Sequence, residues 1–204
     1  MIGLALRLLA REWRAGEIRV VLLAVALAVA SLTAVRYFAD RVEQALGKEA
    51  NTLLAADLAL VSDHPIDAAF AREATARGLR VSHTTTFLSM ALAGDNNLLT
   101  GIKAVEPGYP LRGTLRVAPD MFAADAPTRA LPPAGEVWVD TRLASGLRVK
   151  PGDSVEVGAA RFRIAAILTF EGERGGNFMA LAPRLLLNAD DLARTDLIQP
   201  GSRV

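Results

Sequence analysis

Between Val20 and Val35 the chain reads VVLLAVALAVASLTAV, sixteen residues without a charge. Such a run restricts the fold severely, because its backbone polar groups must be satisfied within the segment itself wherever water is absent, and a helix does this in lipid. Ser31 and Thr33 can return their hydroxyls to the same helix backbone. Extended to Ile18 and Phe38, with Arg19 and Arg36 reaching toward the headgroups, the segment has 21 residues. At 1.5 Å per residue that is about 31 Å, against a hydrocarbon core of about 30 Å. Residues 18–38 therefore read as a spanning helix. A buried core helix and a cleavable signal peptide are the rival readings, the latter because Ala28-Val29-Ala30 and Leu32-Thr33-Ala34 resemble small-residue cleavage sites. The long leader before the run, and its unbroken continuation into a helical pattern, count against cleavage.

Within residues 1–17, helical spacing puts Arg7, Arg11 and Arg14 on one narrow face and Ile2, Leu6, Leu9 and Trp13 on the other. This pattern predicts a helix lying in the membrane interface, its arginines on anionic headgroups and Trp13 at the depth favoured by indole rings. The alternative is an amphipathic helix packed on protein. Arg7, Arg11, Arg14 and Arg19 precede the span, and Arg36, Arg41 and Lys48 follow it. That small bias places the amino terminus in the cytoplasm and the main domain outside it.

Beyond the span, Phe38, Val42, Leu46 and Leu53 recur at helical intervals among Asp40, Arg41, Glu43 and Lys48. The spanning helix is expected to continue over 39–55 as a stalk whose apolar stripe needs a cover, either the domain beyond or a second helix from sequence not present here.

The remainder, 56–204, reads as an α+β domain. A short buried strand is expected at 58–62, and a helix opening at His64-Pro65 and closed by Gly78. A β-hairpin follows over 80–105 around Gly94-Asp95-Asn96-Asn97. Residues 106–112 (EPGYPLR) form a shaped loop, and 123–135 (AADAPTRALPPAG) is the best internal boundary, dividing a mixed α/β lobe from a small β-rich one. Past it come a strand at 136–139, a short helix at 141–145, a turn at Pro151-Gly152-Asp153, and strands at 154–157 and 161–169. In the last of these, Phe162 and Ile164 face one way, Arg161 and Arg163 the other.

The residues offer little chemistry. With 23 basic and 22 acidic side chains and a net charge of +1, no field favours nucleic acid. The absence of cysteine removes disulfides, thiolate metal sites and thiol nucleophiles. Gly47-Lys48 lacks the upstream glycine and the hydroxyl residue of a phosphate loop, so nucleotide binding by that route is excluded. GERGG at 172–176 has no following helix and reads as a mobile loop. His64 and His83 lack metal-ligand spacing and read as a helix start and a strand residue. Glu171 with Glu173 reads as a solvated loop pair, and Asp190 with Asp191 as the first turn of a helix after Asn188. No catalytic, cofactor or metal constellation emerges.

Five phrases carry a family likeness: LALRLLAREWRAGEIRVVLLAVALAVASLTAV, LLAADLALVS, IKAVEPGYPLRG, LRVKPGDSVEVG and FMALAPRLLLNADDLARTDLIQPGSR. In this order and spacing they resemble the start of FtsX-like ABC transporter permeases with a MacB-type periplasmic core domain after the first membrane helix. The likeness is greatest to the large permeases of the YbbP-like branch. It implies a bacterial inner-membrane subunit that binds no nucleotide, has further membrane helices, and pairs with a separate cytoplasmic ATPase. The ATPase's closure would pass along the stalk to act on hydrophobic or lipid-linked cargo. FtsX itself suggests the alternative, an anchored module regulating an extracytoplasmic partner such as a cell-wall hydrolase. The family's later helices have no counterpart before Val204, so this chain reads as the amino-terminal portion of a longer permease, with a truncated reading frame as the rival reading.

Overall fold

The computed structural model describes residues 16–174 and 181–198, without the side chains at 17, 46–53 and 174. The chain forms two compact units, Met1–Glu49 and Ala50–Val204. The first is dominated by helix α1 (Glu17–Leu53), 37 residues with no proline and one glycine, Gly47. It contains a stretch long and apolar enough to span a membrane, Ile18–Ala45, whose most apolar window is wholly unburied. Ser31 donates to the Leu27 carbonyl at 2.8 Å and Thr33 to that of Val29 at 2.7 Å, which removes both hydroxyls from competition for water. Past Arg36, Arg41 donates to the Tyr37 hydroxyl at 2.6 Å and Gln44 to Asp40 at 2.8 Å. The interfacial helix expected over 1–17 falls almost wholly outside the described residues.

The second unit is organised by eight strands: β1 (Thr84–Ala93), β2 (Asn96–Val105), β3 (Leu115–Ala118), β4 (Ala126–Thr128), β5 (Glu136–Asp140), β6 (Ser154–Val157), β7 (Ala160–Phe170) and β8 (Arg184–Asn188). Their order is β4-β3-β7-β5-β8-β2-β1-β6, and β6 also pairs with β7. Six strands, β7-β5-β8-β2-β1-β6, thus close on themselves, and β3 and β4 extend outward from β7. Closure leaves no free edge within that circuit. The 11-residue β7 makes it possible, pairing near its start with β6 (Val157↔Ala160), midway with β5 and near its end with β3 (Arg116↔Phe170).

Alternation sorts the side chains. Phe87 and Ala91 of β1, Ile102 and Ala104 of β2, Val137 and Val139 of β5, Phe162 and Ile164 of β7, and Leu185 and Leu187 of β8 share one core. Helix α3 (Thr141–Leu147), the third among the described residues, adds Leu143, Ala144 and Leu147 to it. Asp140 caps α3 by accepting from the Leu143 amide at 2.7 Å. A second cluster, comprising Val105, Tyr109, Leu115, Trp138, Leu168, Leu186 and Ala55, lies on the opposite faces of the same strands.

Several elements depart from the expectations. The boundary read at 123–135 falls inside the sheet: strands on both sides of it pair with one another, and the segment supplies β4. Its prolines mark an edge strand and turns, where missing amide donors are tolerated. Residues 58–62 form no strand, and Leu58 and Val61 are among the most exposed residues, at 83% and 88%. Their β-prone composition finds no neighbouring strand to pair with. Helix α2 (Ala68–Ala76) starts later than expected, with Asp67 rather than His64 at its cap, and buries none of its residues. Gly78, at φ +77°, closes it as expected. The hairpin, the strands at 136–140, 154–157 and 160–170, and the burial of Phe162 and Ile164 agree with the sequence pattern.

The β6–β7 turn is the tightest point of the circuit. Gly158 has φ +57°, and a Cβ there would lie 2.0 Å from the Thr195 carbonyl oxygen, itself held by the Ala159 amide at 2.8 Å. Gly158→Ala combines backbone strain with a backbone clash and should cost about 3 kcal/mol, measured as a lowered urea midpoint at unchanged m-value.

Candidate functional site

Of the stalk residues, Phe38 and Val42 are exposed on α1, four residues apart and therefore on one face. Leu46 and Leu53 belong to the same helix, with side chains outside the described set. Arg7, Arg11, Trp13 and Arg14 lie outside the described residues altogether. The structure thus brings Phe38 and Val42 together on one apolar face.

The second unit contains a site that sequence reasoning missed. Lys103 sits near the end of β2, on the face opposite Ile102 and Ala104, and is 2% exposed. Parallel pairing with β8 sets Lys103 opposite Leu186 and Gly101 opposite Arg184, so the two cations are diagonal neighbours, with the side-chain-free Gly101 between Leu88 and Arg184. Glu171, the first residue after β7, turns its side chain onto this face. Glu171 is completely buried there, with Oε1 3.0 Å from Lys103 Nζ and Oε2 3.1 Å from Arg184 Nε. Lys103 also donates to the Tyr109 hydroxyl at 2.8 Å and lies over its ring, 4.4 Å from the centroid. Tyr109 in turn donates to Glu171 Oε1 at 3.1 Å. Glu173, in the 3₁₀ turn Gly172–Arg174, pairs with Lys103 from outside and stays 35% exposed.

The three N–H donors of Lys103 thus have three acceptors, and two cations face two carboxylates. A buried charge persists only when paired in this way; Glu171 Oε2 and Arg184 Nη1 have no hydrogen-bond partner among the described residues. Burial pushes the Glu171 carboxyl upward, but Lys103 and Arg184 outweigh it and hold the group below its ordinary range. The Tyr109 phenol is raised, first by burial and then by Glu171 and Glu173. Reading Glu171 with Glu173 as a solvated pair is therefore corrected: Glu171 is an interior counter-ion, and only Glu173 reaches solvent. The available signal was a cation within LLTGIKAV and another heading RLLLN, since a charge embedded in an apolar strand requires a counter-charge.

Other candidates resolve more simply. Asn188 accepts from the Asp190 amide at 3.0 Å and caps a helix as expected, although it is a 3₁₀ helix (Ala189–Thr195). Asp191 is buried, accepting from the Gly135 amide and from Arg194, both at 2.6 Å. His83 contacts Glu106 at 3.0 Å near the surface, and His64 lies exposed beside Asp63. Among the described residues no group of three or more His, Asp or Glu could hold a metal ion.

Residues 20–202 match the model of the MacB-like periplasmic core domain. The chain belongs to that family. It is also 39% identical over 194 residues to the uncharacterized ABC transporter permease YbbP of Escherichia coli strain K12, an alignment covering 95% of this chain and 23% of that protein. The chain therefore spans about a quarter of the length of this curated relative. Among solved structures, the periplasmic region of MacB from Actinobacillus actinomycetemcomitans aligns at a TM-score of 0.41 and 14% identity, over 66% of this chain and 60% of that one. The family match agrees with the likeness read from the sequence.

Glu171→Gln leaves Lys103 and Arg184 short of an interior counter-charge and should cost about 3–5 kcal/mol in urea unfolding. Because the folded-state pKa of Glu171 lies below its unfolded value, its stabilisation is complete above the ordinary value of 4.5 and disappears as pH falls through the folded value. Stability measured from neutral pH downward should decline below that value, and the decline should be shallower in Glu171→Gln.

Proposed function

We propose that this chain is the amino-terminal part of an ABC transporter permease subunit, coupling ATP hydrolysis by a separate cytoplasmic ATPase to periplasmic work on hydrophobic or lipid-linked cargo. The observation that carries this reading is the 39% identity to an ABC transporter permease across 95% of the chain. A bacterial inner-membrane location, with a cytoplasmic amino terminus and a periplasmic 50–204 unit, is supported by the arginines preceding the span and by the periplasmic designation of the family. Arg7, Arg11 and Arg14 would rest on headgroups at the cytoplasmic interface, anchored by Trp13, and further membrane helices of the permease would complete the bilayer-embedded part.

The coupling element in this reading is α1. One continuous helix without proline resists bending, so displacement at one end is passed to the other. Phe38, Val42, Leu46 and Leu53 would form the stripe gripping a neighbouring stalk helix, as apolar positions at helical spacing do when two helices pack. The chain itself carries no catalytic group and no cofactor in this scheme.

Two measurements test the proposal. The permease containing this chain should co-purify with an ABC ATPase, and ATP hydrolysis in lipid should depend on the pair. Failure to associate, with the domain instead retaining a cell-wall hydrolase, would replace the transporter reading with a regulatory one. Substituting aspartate at both Val42 and Leu46 should leave assembly and ATP hydrolysis within about twofold of the parent while abolishing extraction of a lipid-linked reporter, because charges in a packed apolar seam block helix association. Undiminished extraction would remove the stalk from the mechanism.

A further inference from the structure

The Lys103 network is graded in burial. Glu171 is fully enclosed, Lys103 and Arg184 nearly so, and Glu173 alone is one-third open to solvent. The two carboxylates consequently differ in what their departure leaves behind. Without Glu171, Lys103 and Arg184 both lose their interior counter-charge. Without Glu173, Lys103 keeps Glu171 Oε1 at 3.0 Å and the Tyr109 hydroxyl at 2.8 Å, and Arg184 keeps Glu171 Oε2 at 3.1 Å. Lifting the turn also admits water to the one Lys103 donor it vacates. Glu173 can therefore detach while Lys103 and Arg184 each keep one oxygen of Glu171.

From this we infer that the Gly172–Arg174 turn is a releasable latch. The turn closes on Lys103 through Glu173 and opens with the strand circuit intact, while Glu171 remains as a permanent clamp at its base. The opened state uncovers Lys103 on the same face of β2 as Leu99, where Leu88, Met90 and Leu92 of β1 form an exposed apolar row. Release of one ion pair thus adds a cation to the border of an apolar surface that is already exposed. The device belongs to this chain's own residues and does not depend on the transport reading.

The test is hydrogen–deuterium exchange on the full chain in lipid nanodiscs. Glu173→Gln removes the charge but keeps the side chain's size, and should speed exchange at the amides of Gly172, Glu173 and Arg174 about tenfold, with β7, β8 and the melting temperature unchanged. Glu173→Asp, too short to reach Lys103 without moving the turn, should give a smaller acceleration at the same amides. Unchanged exchange at the turn in Glu173→Gln would show that the contact holds nothing closed. Equal acceleration across β7 and β8, or loss of folding, would make Glu173 a structural member like Glu171. Any of these results overturns the latch.

Discussion

The second unit depends on a single closure, the pairing of β6 with both β1 and β7. Without it the strands would form an open mixed sheet with two edges and one solvated face. With it, the inward positions of six strands converge on one apolar volume, filled by side chains such as Phe162, Ile164, Leu185 and Leu187 and by α3. Ladder hydrogen bonds are then satisfied around the circuit, and the apolar side chains lose their water together. The strictness at Gly158 follows, because the β6–β7 turn must return the chain within a few residues while Thr195 presses against it.

Closure also creates the problem that the charged network solves. A strand whose inner side chains are buried still presents outer ones, and β2, flanked by β1 and β8, carries Lys103 there. With Lys103 only 2% exposed, the ammonium is removed from water and must be met by fixed partners. Glu171, Glu173 and Tyr109 meet it, and Arg184 pairs with the other oxygen of Glu171. Such a network contributes less net stability than an apolar replacement of equal volume would, but each member constrains the others' placement. Its graded exposure gives the covering turn a separable behaviour from the strands beneath it.

The two units answer to different solvents. In α1 the apolar surface remains open along the span, and the hydroxyls of Ser31 and Thr33 turn inward to the backbone. A helix with that surface is stable in hydrocarbon, where no water is displaced by burying it against protein. The strand unit reverses the arrangement, with apolar residues enclosed and most charges outside. Elements such as 58–62 and α2 fit neither pattern, since their apolar side chains are neither in the span nor enclosed in the core.

The sequence by itself determined whatever depends on local periodicity and composition. The uncharged run ending at Val35 specified a long helix, the alternation of Arg161, Phe162, Arg163 and Ile164 specified a half-buried strand, and Asn188 and Gly78 specified a cap and a stop. The family likeness was legible for the same reason, being carried by the order of short phrases. Tertiary structure alone decided which strands became neighbours, because pairing partners such as Lys103 and Leu186 lie more than eighty positions apart and no local pattern encodes their register. That decision joined both sides of 123–135 into one sheet, denied 58–62 a partner, and converted Glu171 from an apparent loop acid into an interior counter-ion. A carboxylate's role depends on the dielectric and the charges around it, and those are set by residues brought together only when the circuit closes.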